Sequence, residues 1–248
     1  SSINLILKKK NIERIRTKSN SGFGIKDYIN MFKYDIKAPF IYFFERHIFD
    51  LFNNTDTHKR LLVEDYEKSV QDVVHAFNHA CSWTSVINFS LNFVSNYLGN
   101  ESIKYSFFDV GCGKGKVLLV ATKGKLCNQF MDFYGVEINR ELVNIANQNF
   151  TKMNLPTCKI ISKSARNLNL GKVNKKMIIY LYNPFDSALL ESFLRSQSYE
   201  SCIIIYNNPQ FSDLIIKSGF NEIMNKNHKM TNGRIKIFEN IKGRIKKN

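Results

Sequence analysis

A doubly wound α/β domain, with a mostly parallel sheet, is the fold class this sequence predicts. Three observations carry it. Short β-rich runs alternate with helical stretches from residue 104 onward. The first of these runs ends in a turn with three alternating glycines, and the second ends in an acid. Strands alternating with helices imply parallel neighbours with helices on both faces of the sheet.

The elements follow in order. KYSFFDV (104–110) reads as a strand and GKVLLVATKGK (115–125) as a helix. MDFYGVEI (131–138) and NRELVNIANQNFTKMN (139–154) repeat the pair. CKIIS (158–162) is a strand followed by a short connection. KMIIYLY (176–182) precedes a helix over SALLESFLRSQ (187–197), and SCIIIYN (201–207) is a fifth strand. FNEIMNK (220–226) and GRIKIFEN (233–240) complete seven strands, with no long helix between them, which suits an antiparallel pair.

The first hundred residues read differently. Residues 1–35 are polar and turn-rich and read as an arm or lid. IKAPFIYFFERHIFDLFNN (36–54) reads as a largely buried helix begun after Pro39. EDYEKSVQDVVHAFNHA (64–80) and SWTSVINFSLNFVSNYLG (82–99) are two further helices, the second stopped by Gly99. The predicted division is therefore a helical N-terminal extension over 1–100 and an α/β domain over 101–248.

Composition narrows the function classes. The net charge of +15 favours an anionic partner, with nucleic acid open through the basic termini, or else marks a solvated lysine-rich surface. The five cysteines are dispersed and contain no C-x-x-C pair, which argues against a disulfide framework or zinc site and suits a cytoplasmic protein. No apolar run is long enough to span a bilayer.

The glycine turn, DVGCGKGK, carries the chemistry. In a doubly wound sheet, ligands sit at the carboxyl ends of the strands, so this is the expected cofactor site. The dinucleotide pattern G-x-G-x-x-G fails because Lys116 occupies its third glycine position, and no Gly-Lys-Ser/Thr closes a P-loop. What remains is Asp109-x-Gly111-x-Gly113-x-Gly115. It resembles motif I of class I S-adenosylmethionine (SAM) methyltransferases. Glu137, 28 residues after Asp109, stands at the end of the second strand, where an acid can accept from ribose hydroxyls.

The resemblance implies a Rossmann-like, mostly parallel seven-stranded sheet with helices on both faces, with SAM as cofactor. It sets Asp109, Gly111, Cys112, Gly113 and Gly115 against the methionine part, Glu137 on the ribose and Ile138 beside adenine. Ser164 stands where the family often has an acid near the adenine amino group, followed by Ala165. Asn183-Pro184-Phe185, ending the fourth strand, looks like a shortened form of the N-P-P-Y/F motif of amino-group methyltransferases. There an Asn oxygen and a backbone carbonyl accept N–H bonds from the attacking nitrogen, and an aromatic ring shapes its entry. The second proline is absent.

The combination DVGCGKGKVLLVA…GVEIN…YLYNPFD…IIIYNNP most resembles bacterial class I methyltransferases distantly similar to the non-SET histone lysine methyltransferases. Upstream, FDLFNNTDT resembles that group's Gly-x-Asp-Thr segment, with Asn54 where glycine is usual. HAFNHACSWTSV takes the place of its Tyr-x-Pro-Thr segment but lacks the Tyr-x-Pro. Both would cap the SAM pocket. The implied reaction is methylation of an amino nitrogen, on a protein lysine or similar amine. O-methylation of a small molecule or sugar, nucleic-acid methylation, and a non-catalytic SAM-fold module are the alternatives. His75 and His79 share a helix face with no third metal ligand nearby. Trp83 packs in the core or stacks over a substrate. Asn207-Asn208-Pro209 lines the substrate mouth or turns the chain.

Overall fold

The computed structural model describes residues 29–30, 32–33, 36–58, 81–155, 157–227 and 234–241. The expectations for the helix at 64–80 and for His75 and His79, and most of that for the arm at 1–35, lie outside the described residues. The chain divides into two compact units at Phe44/Glu45.

In the first unit, α1 (Ala38–Phe43) begins with Pro39 in its first turn, where the missing N–H is no loss. A π turn follows over Phe44–Ile48, then α2 (Phe49–Asn53) in the second unit. This differs from the single, largely buried helix read from the sequence. A π turn carries an extra residue and breaks the helical register, so the apolar positions no longer share one face. Phe40, Phe43 and Phe44 are exposed, as are Leu51 at 75% and Phe52 at 80%. Asn54 caps α2 in the left-handed region at φ 52°. Asparagine tolerates that conformation better than most residues with a Cβ.

The second unit is built on seven strands: β1 (Ser106–Val110), β2 (Phe133–Glu137), β3 (Cys158–Ser162), β4 (Lys176–Leu181), β5 (Ser201–Asn207), β6 (Asn221–Asn227) and β7 (Arg234–Ile241). Their order is β3-β2-β1-β4-β5-β7-β6. β1 to β5 are parallel, and β7 runs antiparallel between β5 and β6. The seven-stranded, mostly parallel sheet read from the sequence is thus the fold. Strand order reverses at β1/β4, and such a switch point is where sheets of this kind form a ligand crevice beyond the carboxyl ends.

Alternation along the strands sends side chains into two cores. Phe107, Ile178, Tyr180, Ile203 and Ile205 meet α3 (Thr84–Leu98), α4 (Lys116–Ala121) and α5 (Arg140–Lys152). Phe108, Val110, Ile179, Leu181 and Ile204 meet α6 (Ser187–Ser196) and α7 (Ser212–Lys217). α3 therefore packs on the sheet, and Gly99 ends it at φ 56°. Two helices start on side-chain caps. Asn139 Oδ1 accepts from the Leu142 N–H at 3.0 Å, and Asp186 Oδ1 accepts from the Leu189 N–H at 3.1 Å. No helix among the described residues is long and apolar enough to cross a membrane.

Candidate active site

The crevice is floored by the glycine turn after β1. Gly111, Gly113 and Gly115 all have positive φ, at 78°, 53° and 82°. At two of them space as well as conformation demands glycine. A Cβ on Gly111 would collide with Pro184 Cβ, and one on Gly115 would lie 2.8 Å from the Phe150 ring on α5. The N–H groups of Gly111 and Cys112 both donate to Val136 O, at 2.8 and 3.0 Å, which fastens the turn to β2. Gly135 leaves room for Cys112, whose sulfur a Cβ would approach to 2.6 Å. Burial pushes that thiol well up, so Cys112 is a packing residue here rather than a thiolate.

Glu137 sits at the end of β2 and is buried. Its Oε1 accepts from the N–H groups of Ile138 and Asn139, and its Oε2 from that of Gly113, each at 2.9 Å. Burial raises its pKa, opposed by these three backbone bonds. A carboxylate has about four lone-pair positions, so one on Oε2 remains for a ligand hydroxyl. Ile138 is half-buried beside it. Asp109 is buried next to Tyr180 on β4, its strand partner. Burial, and secondly the charge of Glu137, hold its pKa well above the usual carboxylate range, and Oδ2 has no partner. After β3, the Ser164 hydroxyl accepts from the Arg166 N–H at 3.0 Å and Ala165 is buried below it.

The Asn183-Pro184-Phe185 turn lies directly against Gly111 through Pro184. Asn183 adopts φ 42°, an uncommon conformation for a residue with a Cβ. Its Nδ2 donates to Asn208 O at 2.6 Å, which leaves Oδ1 buried and without a partner. Asn208, just after β5, is also left-handed at φ 50°. Phe185 is in the core, its ring 6.0 Å from that of Phe193 on α6, so it is not presented at the crevice. Behind the turn, Tyr180 OH donates to Ser82 Oγ at 3.0 Å, and Asn207 Nδ2 donates to both. This buried triad fixes the segment before α3 on β4 and β5. Trp83 packs against the core next to it.

A second segment, within the FDLFNNTDT stretch, reaches the glycine turn through Asp56 and Lys114. Asp50 receives five donors: Thr55 Oγ1, Thr57 Oγ1, His58 Nδ1 and the N–H groups of Thr57 and His58. Those bonds set its carboxyl below the usual range despite burial, which acts the other way. The strap so formed, residues 54–58, turns Asp56 toward Lys114, whose ammonium is buried and 2.9 Å from the carboxylate. Lys116 Nζ donates to Glu45 O at 2.8 Å and lies over the Phe49 ring. The signal in the sequence was the paired lysines inside a glycine turn, whose charge needs a partner once buried.

No family model matches the sequence, and no curated protein matches it. Solved structures do resemble the fold. A precorrin-6y C5,15-methyltransferase from Geobacter metallireducens is 13% identical, over 72% of this chain and 95% of its own, with a TM-score of 0.48. A SAM-dependent methyltransferase from Aquifex aeolicus is 11% identical over 64% of this chain and 99% of its own, with a TM-score of 0.47. TrmK of M. capricolum, solved with S-adenosyl-homocysteine, is 16% identical over 61% of this chain and 66% of its own, with a TM-score of 0.43.

Proposed function

We propose that this protein is a SAM-dependent methyltransferase acting on an amino nitrogen, with a protein lysine or similar amine as acceptor. The observation that carries it is the contact of Gly111 with Pro184. It sets a glycine turn with a ribose-type acid beside a turn that presents an unpartnered amide oxygen. The residues fit SAM. Glu137 Oε2 keeps one lone pair for a ribose hydroxyl, Ile138 flanks the adenine side, and the Cβ-free turn admits the methionine part. Asp109 Oδ2, buried and without a partner, is left free for a polar group of the ligand. Ser164 and Ala165 close the adenine end.

When bound, SAM supplies an electrophilic methyl group on a positively charged sulfur. The chain's own contribution is positioning and electrostatics. Asn183 Nδ2 is committed to Asn208 O, so Oδ1 is the face left for an acceptor N–H. That bond strengthens as positive charge develops on the attacking nitrogen, so it favours the transition state over the ground state. Pro184 holds the turn against Gly111, and Phe185 anchors it from the core.

The test has two arms. Calorimetry should detect SAM binding to the purified chain. Radiolabelled SAM with a fractionated lysate should then label protein in amine linkages. Absence of SAM binding at high micromolar concentration would leave the non-catalytic module, and label in small molecules or nucleic acid would move the acceptor class.

A further inference from the structure

Asn149 is a polar residue at 1% exposure in the last turn of α5. Buried amides persist when their bonds are made, and here they join two other segments. Asn149 Oδ1 accepts from the Asp56 N–H at 3.0 Å. Its Nδ2 donates to Asp56 O at 3.0 Å and to Lys114 O at 3.1 Å. One side chain thus holds the strap by both of its backbone groups and the glycine turn by a carbonyl. The Lys114–Asp56 ion pair closes the same circuit, and Gly115 lies against Phe150, the next residue of α5.

We propose that Asn149 is a positioning residue that couples occupancy of the glycine turn to docking of the strap at 54–58. The coupling rests on the SAM reading above, since it needs a ligand on the turn. The turn conformation that points Lys114 O at Nδ2 is the one in which the strap is held. A ligand that stabilises that conformation stabilises the docked strap, and by linkage the docked strap raises ligand affinity. The strap then acts as a cofactor-dependent cover, and Asn149 has no contact with the reacting atoms.

Amide hydrogen exchange on the intact chain, with and without SAM, tests this beside calorimetry of SAM binding. In the wild type, saturating SAM should slow exchange across 54–58. Asn149→Ala should speed exchange at the Asp56 amide and weaken SAM by about tenfold, within the usual range of coupling between sites. Slow exchange of the β1 amides reports that the variant is folded. The isosteric Asn149→Asp keeps the acceptor but loses both donors. It should match the alanine variant at neutral pH, because a carboxylate facing two carbonyl oxygens cannot bridge them. Unchanged exchange at 54–58 in both variants, or SAM affinity equal to wild type in a variant with a freed strap, overturns the coupling. A wild-type chain that binds no SAM is instead the failure of the cofactor reading.

Discussion

The two sides of the crevice are built in opposite ways. On the side of the glycine turn, Glu137, Asp50 and Asn149 are spoken for, while Asp109 Oδ2 has no partner. Glu137 has three backbone donors, Asp50 five, and Asn149 joins two segments. On the side of the Asn183 turn, two asparagines sit in left-handed backbone, one bond joins them, and an amide oxygen is left over. A satisfied network gives a rigid receptor for a ligand with a fixed shape. An orphaned acceptor in strained backbone belongs where a bond is made only as a reaction proceeds.

The sharpest way to break this contrast is Asn183→Ala. Losing one positioned polar group should lower kcat by roughly 10²–10³, while SAM affinity measured by calorimetry stays as in wild type. An equal loss in both would move Asn183 to the cofactor side. Gly111→Ala attacks the point where the two sides touch. Left-handed strain and overpacking against Pro184 should together cost about 2–4 kcal/mol of stability, read from denaturant unfolding. A variant as stable as wild type would mean that the turns can separate.

Glu137→Ala probes the cofactor side alone. SAM binding should weaken by about 1.5–3 kcal/mol, the range for bonds to a charged group, while the fold stays intact by circular dichroism. Unchanged affinity would remove the ribose assignment. The smallest effect is that of Asp50. Its carboxyl is lowered in the folded chain, so it contributes stability above its unfolded value, and this is lost as pH falls through the lowered value. Unfolding free energy should therefore decline on the acid side, and Asp50→Asn should flatten that limb. A parallel decline in the variant would show that other carboxylates set it.

The sheet was legible in the sequence because strand alternation and the glycine turn are local patterns. All seven strands and the antiparallel last pair follow from them. Glu137 was legible by its place at a strand end, but its three backbone donors were not. The strap's bonds to Lys114 and Asn149 were not legible either, because they join residues far apart in the chain, whereas its bonds to Asp50 are local. Asn149 in sequence is one of several asparagines along a helix, and only the Asp56 contact, 93 residues away, gives it meaning. Nothing local separates Ser82, Tyr180 and Asn207 from ordinary loop and strand residues, yet they form one network. The apolar run at 38–53 misled in the other direction. Its composition reads as core, but the π turn redistributes it outward.

The place of β7 has a consequence for how the molecule is made. β6 leaves the ribosome before β7 but has no neighbour other than β7 in the sheet. Until residues 234–241 emerge, β5 presents an open edge of fully buried character, SCIIIYN, and β6 has nothing to pair with. Unpaired apolar edges recruit other chains. The nascent protein is therefore most prone to misassociate in the interval before residues 234–241 emerge, and a nonsense or frameshift change just before Arg234 should yield aggregates rather than a shortened folded chain.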